Sequence, residues 1–154
     1  MAWADLKKGR FSQAYGEYFI TFNCHNNRAY FNEFHLAHLF CQQIQVNEAT
    51  FNCTWLAWVF MPDHFHGLLR LGKNSSLSQI IGDLKGKSAN ILNKQLQCKG
   101  KFWQSAFYDR ALRKEEDRKN IARYIITNPL RKGLVKTIGD YSFWDSSYLT
   151  YPTG

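Results

Sequence analysis

Two histidines one residue apart, a tyrosine and an asparagine four apart, and a concentration of Lys and Arg are the features of this chain suited to chemistry. His64 and His66 follow the turn signal Pro62-Asp63 and open a stretch that reads as a strand. Side chains on a strand alternate faces, so His64, His66, Leu68 and Arg70 share one face. Two imidazoles about 7 Å apart along a strand can converge on one divalent ion. The plainer reading is a polar strand face carrying two ordinary histidines. Tyr124 and Asn128 are spaced to share one helix face, just before Pro129. A phenol beside a metal-oriented phosphate can act as a nucleophile, although with an ordinary pKa of about 10 it needs help to ionise. The Asn128 amide oxygen is a candidate third ligand. Against this, Ile121, Tyr124 and Ile125 also read as an apolar stripe that would bury Tyr124. His25, His35 and His38 offer no comparable pair, and His35 with His38 reads as helix surface.

Charge points the same way. The formal net charge is +8, and residues 85–136 hold 14 of the 20 Lys and Arg against Asp109, Glu115, Glu116 and Asp117. A positive concentration on a small domain favours a polyanion, usually nucleic acid. Phe102, Trp103, Phe107, Tyr108 and Tyr124 are interleaved with these cations, and exposed rings stack on unpaired bases. Lys85, Lys87, Arg110, Arg113, Arg123, Arg131 and Lys132 are the candidate phosphate contacts. A solvated basic surface is the plainer alternative for each.

The elements that must position these residues follow from periodicity. Strands are expected at Tyr18–Asn23, Phe51–Met61, His64–Leu71 and Phe102–Leu112. Helices are expected at Asn32–Val46, Leu77–Asn93 and Glu115–Asn128, the last with acids in its first turn and closed by Pro129 and Gly133. The order βαββαβα is the ferredoxin-like α+β arrangement, with an antiparallel sheet and helices packed on one face. The chain of 154 residues reads as one domain, 1–154. Within it, 138–154 is an aromatic C-terminal tail that either packs back on the body or lies in a binding groove. No apolar run is long enough for a membrane span, and MAWADLKKGR lacks the apolar stretch of a secretory signal. Cys24, Cys41, Cys53 and Cys98 form no CxxC pair, and read as reduced thiols of a cytoplasmic protein.

Three motifs combine into a resemblance. Phe-Met-Pro-Asp-His-Phe-His-Gly-Leu-Leu (60–69) resembles the histidine–hydrophobe–histidine motif of the single-tyrosine HUH transposases. Phe102-Trp103-Gln104 through Tyr108-Asp109-Arg110 is similar to a strand motif of the REP-associated tyrosine transposases, and 124–135 (YIITNPLRKGLV) resembles the nucleophile helix of the same family. The match spans roughly residues 15–136. The resemblance implies the ferredoxin-like fold and an enzyme that cuts single-stranded DNA, often beside a hairpin, through a 5′-phosphotyrosine link with a free 3′-OH. It assigns Tyr124 as nucleophile, His64 and His66 as metal ligands and Asn128 as a further polar ligand. It implies Mg²⁺ or Mn²⁺ as cofactor, and imidazole softness favours Mn²⁺ as the tighter of the two. Partners are single-stranded or hairpin DNA and no membrane. Relatives act as monomers or as homodimers, and both states stay open. Two departures stand out: Asp63 occupies a position where relatives often carry Asn, and Asn128 one where some carry Gln.

Two other readings use the same residues. A non-catalytic single-stranded nucleic-acid-binding module would explain the charge and the aromatics, but no RNP-type run is present. A phosphoesterase using His64 and His66 as acid and base generally needs a second histidine motif, and the sequence offers one pair.

Overall fold

The computed structural model describes residues 13–32, 34–112, 115–134, 136 and 144–146. The chain runs β1 (Glu17–Asn23), α1 (Phe34–Phe51), β2 (Thr54–Met61), β3 (His64–Arg70), α2 (Leu77–Leu96), β4 (Tyr108–Ala111), α3 (Glu115–Ile126), the short α4 (Asn128–Arg131) and β5 (Trp144–Ser146). The strands form one antiparallel sheet in the order β4-β1-β3-β2-β5. The α+β ferredoxin-like reading therefore holds for the sheet and its first four strands.

Several boundaries differ from the expected ones for local reasons. Helix α1 continues past Val46 to Phe51, and the chain turns at Asn52 in the left-handed region (φ 52°). The expected start of the second strand is thus the end of a helix. Helix α2 opens with a capping box, in which Ser76 accepts from the Gln79 backbone and Gln79 accepts from the Ser76 backbone. Gly82 and Gly86 do not interrupt it. β4 is only four residues long, because Phe102 and Trp103 leave the sheet after a single bridge to Cys24 and bury their rings in the core instead.

The helices do not all pack on one face, which corrects that part of the expected arrangement. Helices α1 and α2 cover the face carrying Ile20, Phe22, Trp55, Phe60, Phe65 and Leu69. Helix α3 covers the other, where Ala122, Ile125 and Ile126 pack on Leu56, Ala57, Val59, Met61 and Leu68. The cause lies in β2, whose sequence TWLAWVFM is apolar in both alternating sets, so each side of the strand demands cover. The first core is built of rings: Phe22, Phe31, Phe40, Phe60, Phe65 and Trp103 meet at centroid distances of 4.4–6.3 Å. Its buried polar side chains Asn47 and Ser88 are hydrogen-bonded. Asn47 accepts from the Trp55 indole at 3.0 Å and donates to the Ile80 carbonyl at 3.0 Å, and Ser88 accepts from the Trp103 indole at 2.9 Å.

Helix α3 is also pinned by charge. Arg118 forms a two-pronged ion pair with Glu17 on β1, and Arg70 lies 3.8 Å from the same carboxylate. From the expected tail, Trp144–Ser146 pairs as β5 with the outer edge of β2, Ala57 opposite Ser146 and Val59 opposite Trp144. The rest of 138–154 lies outside the described residues.

Candidate active site

β3 emerges directly from the Pro62-Asp63 turn, so His64 and His66 are its first and third residues and face the α3 side of the sheet. β1 runs beside them with Thr21 opposite His66 and Asn23 opposite His64. The two Nε2 atoms face each other 3.0 Å apart. Asp63 Oδ1 accepts from His64 Nδ1 at 2.6 Å, and Thr21 Oγ1 lies 2.8 Å from His66 Nδ1. The carboxylate can only accept, so Nδ1 of His64 carries the proton it receives, which in the neutral ring leaves Nε2 bare and turned inward. Burial, then the charges of His64, Arg131 and Lys132, push the His66 pKa down to about 3, so this imidazole is neutral and also able to coordinate.

This donor set fits a divalent ion. Two ligands at about 2.1 Å from one ion and at right angles to each other lie about 3.0 Å apart, which is the spacing of the two Nε2 atoms. Both Nδ1 atoms have an oxygen partner that fixes the ring, the usual outer-shell arrangement of metal-binding histidines. The Thr21 hydroxyl can donate to His66 while His66 donates to His64, or rotate to accept when both Nε2 lone pairs are engaged. Among the described residues, no group of three or more His, Cys, Asp or Glu forms a metal site.

Tyr124 lies near the C-terminal end of α3. Its ring is half exposed, while Ala122, Ile125 and Ile126 on either side of it are buried. The apolar stripe of α3 therefore does not include Tyr124. Phe19 links it to the histidines, stacking on His66 at 5.5 Å and meeting the Tyr124 ring edge-on at 6.3 Å. Phe19, Tyr108, Arg110, Ile121 and Tyr124 line a cleft of about 330 Å³. Tyr108 is itself half exposed there. The sheet contributes Phe19, Tyr108 and the Arg110 guanidinium to this cleft, and α3 contributes Ile121 and Tyr124.

Helix α3 breaks at Thr127, and Asn128 starts α4 with Pro129 behind it. Tyr124 is half exposed, whereas Asn128 is buried. Pro129 has no N–H to donate to the carbonyl four residues back, which weakens the helical ladder where α3 ends.

The basic residues divide between the two sides of the sheet. Arg110 is opposite Phe19 in register and lines the Tyr124 cleft. Arg123, Arg131 and Lys132 are exposed on α3 and around α4. Lys85 and Lys87 sit on α2, across the sheet. Lys85 donates to the carbonyls of Gln104 and Ala106 at 2.6 and 3.0 Å, and Lys87 lies 3.3 Å from Asp83. Arg113 falls outside the described residues. Thr21 and Phe19 were not singled out in sequence. Thr21 lies 45 positions from His66, and only the β1–β3 register brings it there.

A family model described as "Transposase IS200 like" matches residues 13–128. The REP-associated tyrosine transposase of Escherichia coli K12 is 28% identical to this chain over 89 residues, covering 56% of this chain and 50% of that protein. A relative from Haemophilus influenzae is 29% identical over 98 residues, covering 57% of this chain and 56% of its own length. The chain thus spans about half the length of the curated relatives it matches. The structure of a REP-associated tyrosine transposase bound to a REP hairpin is similar, with a TM-score of 0.75 and 25% identity, covering 88% of this chain and 79% of that one.

Proposed function

The chain belongs to the IS200-like transposase family, and from that premise we propose that it cuts and rejoins single-stranded DNA through Tyr124. The observation that carries the reading is the convergence of an outward-facing tyrosine, a pair of Nε2 donors and a guanidinium-lined cleft on one sheet face. In the forward step the Tyr124 oxygen attacks the scissile phosphorus and forms a P–O bond. The bond from phosphorus to the 3′ oxygen breaks, and the phenol proton ends on the leaving 3′ oxygen. The products are a 5′-phosphotyrosine and a free 3′-OH. Attack by a 3′-OH on that link reverses the balance, so rejoining needs no external energy source.

His64, His66 and the Asn128 amide are the residues that would hold Mg²⁺ or Mn²⁺. A bound divalent ion would polarise the phosphate and orient it for in-line attack. Asp63 and Thr21 keep the imidazoles aimed. The cleft beside Tyr124 would receive a base against Tyr108 and a phosphate against Arg110. Arg123 and Lys132 flank the same face and are the further proposed phosphate contacts. The solved relative is described with a REP hairpin, which makes hairpin DNA the substrate to try first.

The test is a denaturing gel with labelled hairpin oligonucleotides, wild-type chain and Tyr124→Phe, and Mn²⁺, Mg²⁺ or EDTA. The expected result is a metal-dependent covalent band that carries the label on the 3′ side of the cut and is absent from Tyr124→Phe. Binding without any such band across a broad set of hairpins would return the reading to a nucleic-acid-binding module.

A further inference from the structure

We propose that Arg131 is a positioning residue for the nucleophile, a clamp on Tyr124 rather than one more contact to DNA phosphate. The inference rests on Tyr124 being the nucleophile. Arg131 follows Tyr124 by seven residues, across the α3–α4 break. Its Nη2 donates to the Tyr124 carbonyl at 2.7 Å, and its Nη1 donates to Thr127 Oγ1. The guanidinium carbon lies 4.0 Å from the centre of the Tyr124 ring. One planar group therefore holds both the backbone and the ring of the same residue.

The break explains why such a clamp exists. Helix ends leave carbonyls in need of donors. Thr127 Oγ1 donates to the Arg123 carbonyl at 2.7 Å and lies 3.4 Å from that of Tyr124, and Arg131 adds the stronger, charged donor. A half-exposed tyrosine on the last turn of a helix would otherwise exchange rotamers. Guanidinium stacking and the edge contact from Phe19 restrict the ring. A nucleophile gains rate when it is held near its line of attack, and small misplacements cost much of that gain. The clamp suits arginine specifically. Lysine would keep the charge and lose both the fork and the flat face.

The experiment uses the full chain as wild type, Arg131→Lys, Arg131→Gln and Tyr124→Phe, with the fluorescent hairpin that gives the adduct. Three quantities are read: adduct formation rate at saturating DNA, hairpin Kd by anisotropy, and the ring signal of Tyr124 in protein labelled with ¹³C-tyrosine. That signal is assigned by its loss in Tyr124→Phe. In both Arg131 variants the saturating rate is expected to fall by about tenfold or more, while Kd changes by less than about threefold. The Tyr124 ring signal is expected to move while the other tyrosine signals stay in place. A wild-type saturating rate in Arg131→Lys would overturn the proposal, since charge alone would then suffice. A weaker Kd with an unchanged saturating rate would overturn it in favour of a phosphate contact. If the wild type forms no adduct, or Tyr124→Phe forms one, the nucleophile assignment fails and the catalytic role of Arg131 falls with it. The ring signal still judges the clamp in that case, and an unmoved signal rejects it.

Discussion

Asp63 and Thr21 support the two imidazoles differently. The carboxylate fixes one tautomer of His64, whereas the Thr21 hydroxyl adapts to either tautomer of His66. Removing the first should therefore do more harm. Asp63→Ala is expected to weaken Mn²⁺ binding by about 10–100-fold, and Thr21→Val by about tenfold at most, as read by calorimetric titration. Equal affinities in all three proteins would show that the histidines need no orientation. The thiols give a second prediction at this scale. Burial, then the nearby Asp63 charge, pushes the Cys24 thiol up to about 12, and burial with Glu48 pushes Cys53 up to about 12. Both stay protonated at pH 8, and the protonated form is not the nucleophile. Cys98 is exposed. Iodoacetamide at pH 8 is thus expected to modify Cys98 in the native protein, and Cys24 and Cys53 only after unfolding, as followed by intact mass. The shared strand face of His64 and His66 was legible in sequence from their spacing, whereas Tyr124 read by itself as part of an apolar stripe and stood out only through the resemblance of 124–135. Thr21 was not legible, because its role depends on a pairing between distant strands.

At the level of elements, α3 is held by an apolar face and by the Arg118–Glu17 ion pair. Glu17→Ala removes the carboxylate that pairs with Arg118 and lies near Arg70. The expected cost is about 2 kcal/mol, measured by the urea midpoint, since charged hydrogen bonds are lost in a half-buried setting. β3 has its own constraint between the histidines and the core. A Cβ at Gly67 would lie 2.5 Å from the Trp55 ring and 2.8 Å from that of Phe65. Gly67→Ala is therefore expected to cost about 1–3 kcal/mol and to disturb His66 through the shared strand. An unchanged melting curve would contradict this packing. The helix and strand order was readable from periodicity. The side on which α3 packs was not, because an amphipathic pattern says that a face is buried but not against what. The doubly apolar run of β2 was the available sign that both sheet faces need cover. Likewise, Pro129 signalled a helix end, but not the short α4 that begins beside it with Asn128 buried.

For the whole molecule, the division of charge between the two sides of the sheet gives the proposed DNA contact a direction, toward the face that carries Tyr124. Arg110 lines the Tyr124 cleft, whereas the Lys85 ammonium donates to two carbonyls of its own chain across the sheet. Arg110→Ala is expected to weaken hairpin binding and to reduce the slope of log K against log salt by about 0.7, the share of one phosphate contact on a single strand. Lys85→Ala is expected to leave that slope unchanged. The net charge was legible in composition, but its division between the two faces depends on which helix lies on which side. Among the described helices none is long and apolar enough to cross a membrane. One consequence of the strand order concerns how the tyrosine helix is tethered. β4 precedes α3 in the chain and lies at one edge of the sheet, while β5 follows α4 and lies at the opposite edge. The segment bearing Tyr124 is thus a strap buckled at both rims of its own sheet. Lending that strap to another copy of the chain would require one buckle to open, and the three-residue β5 is the shorter of the two.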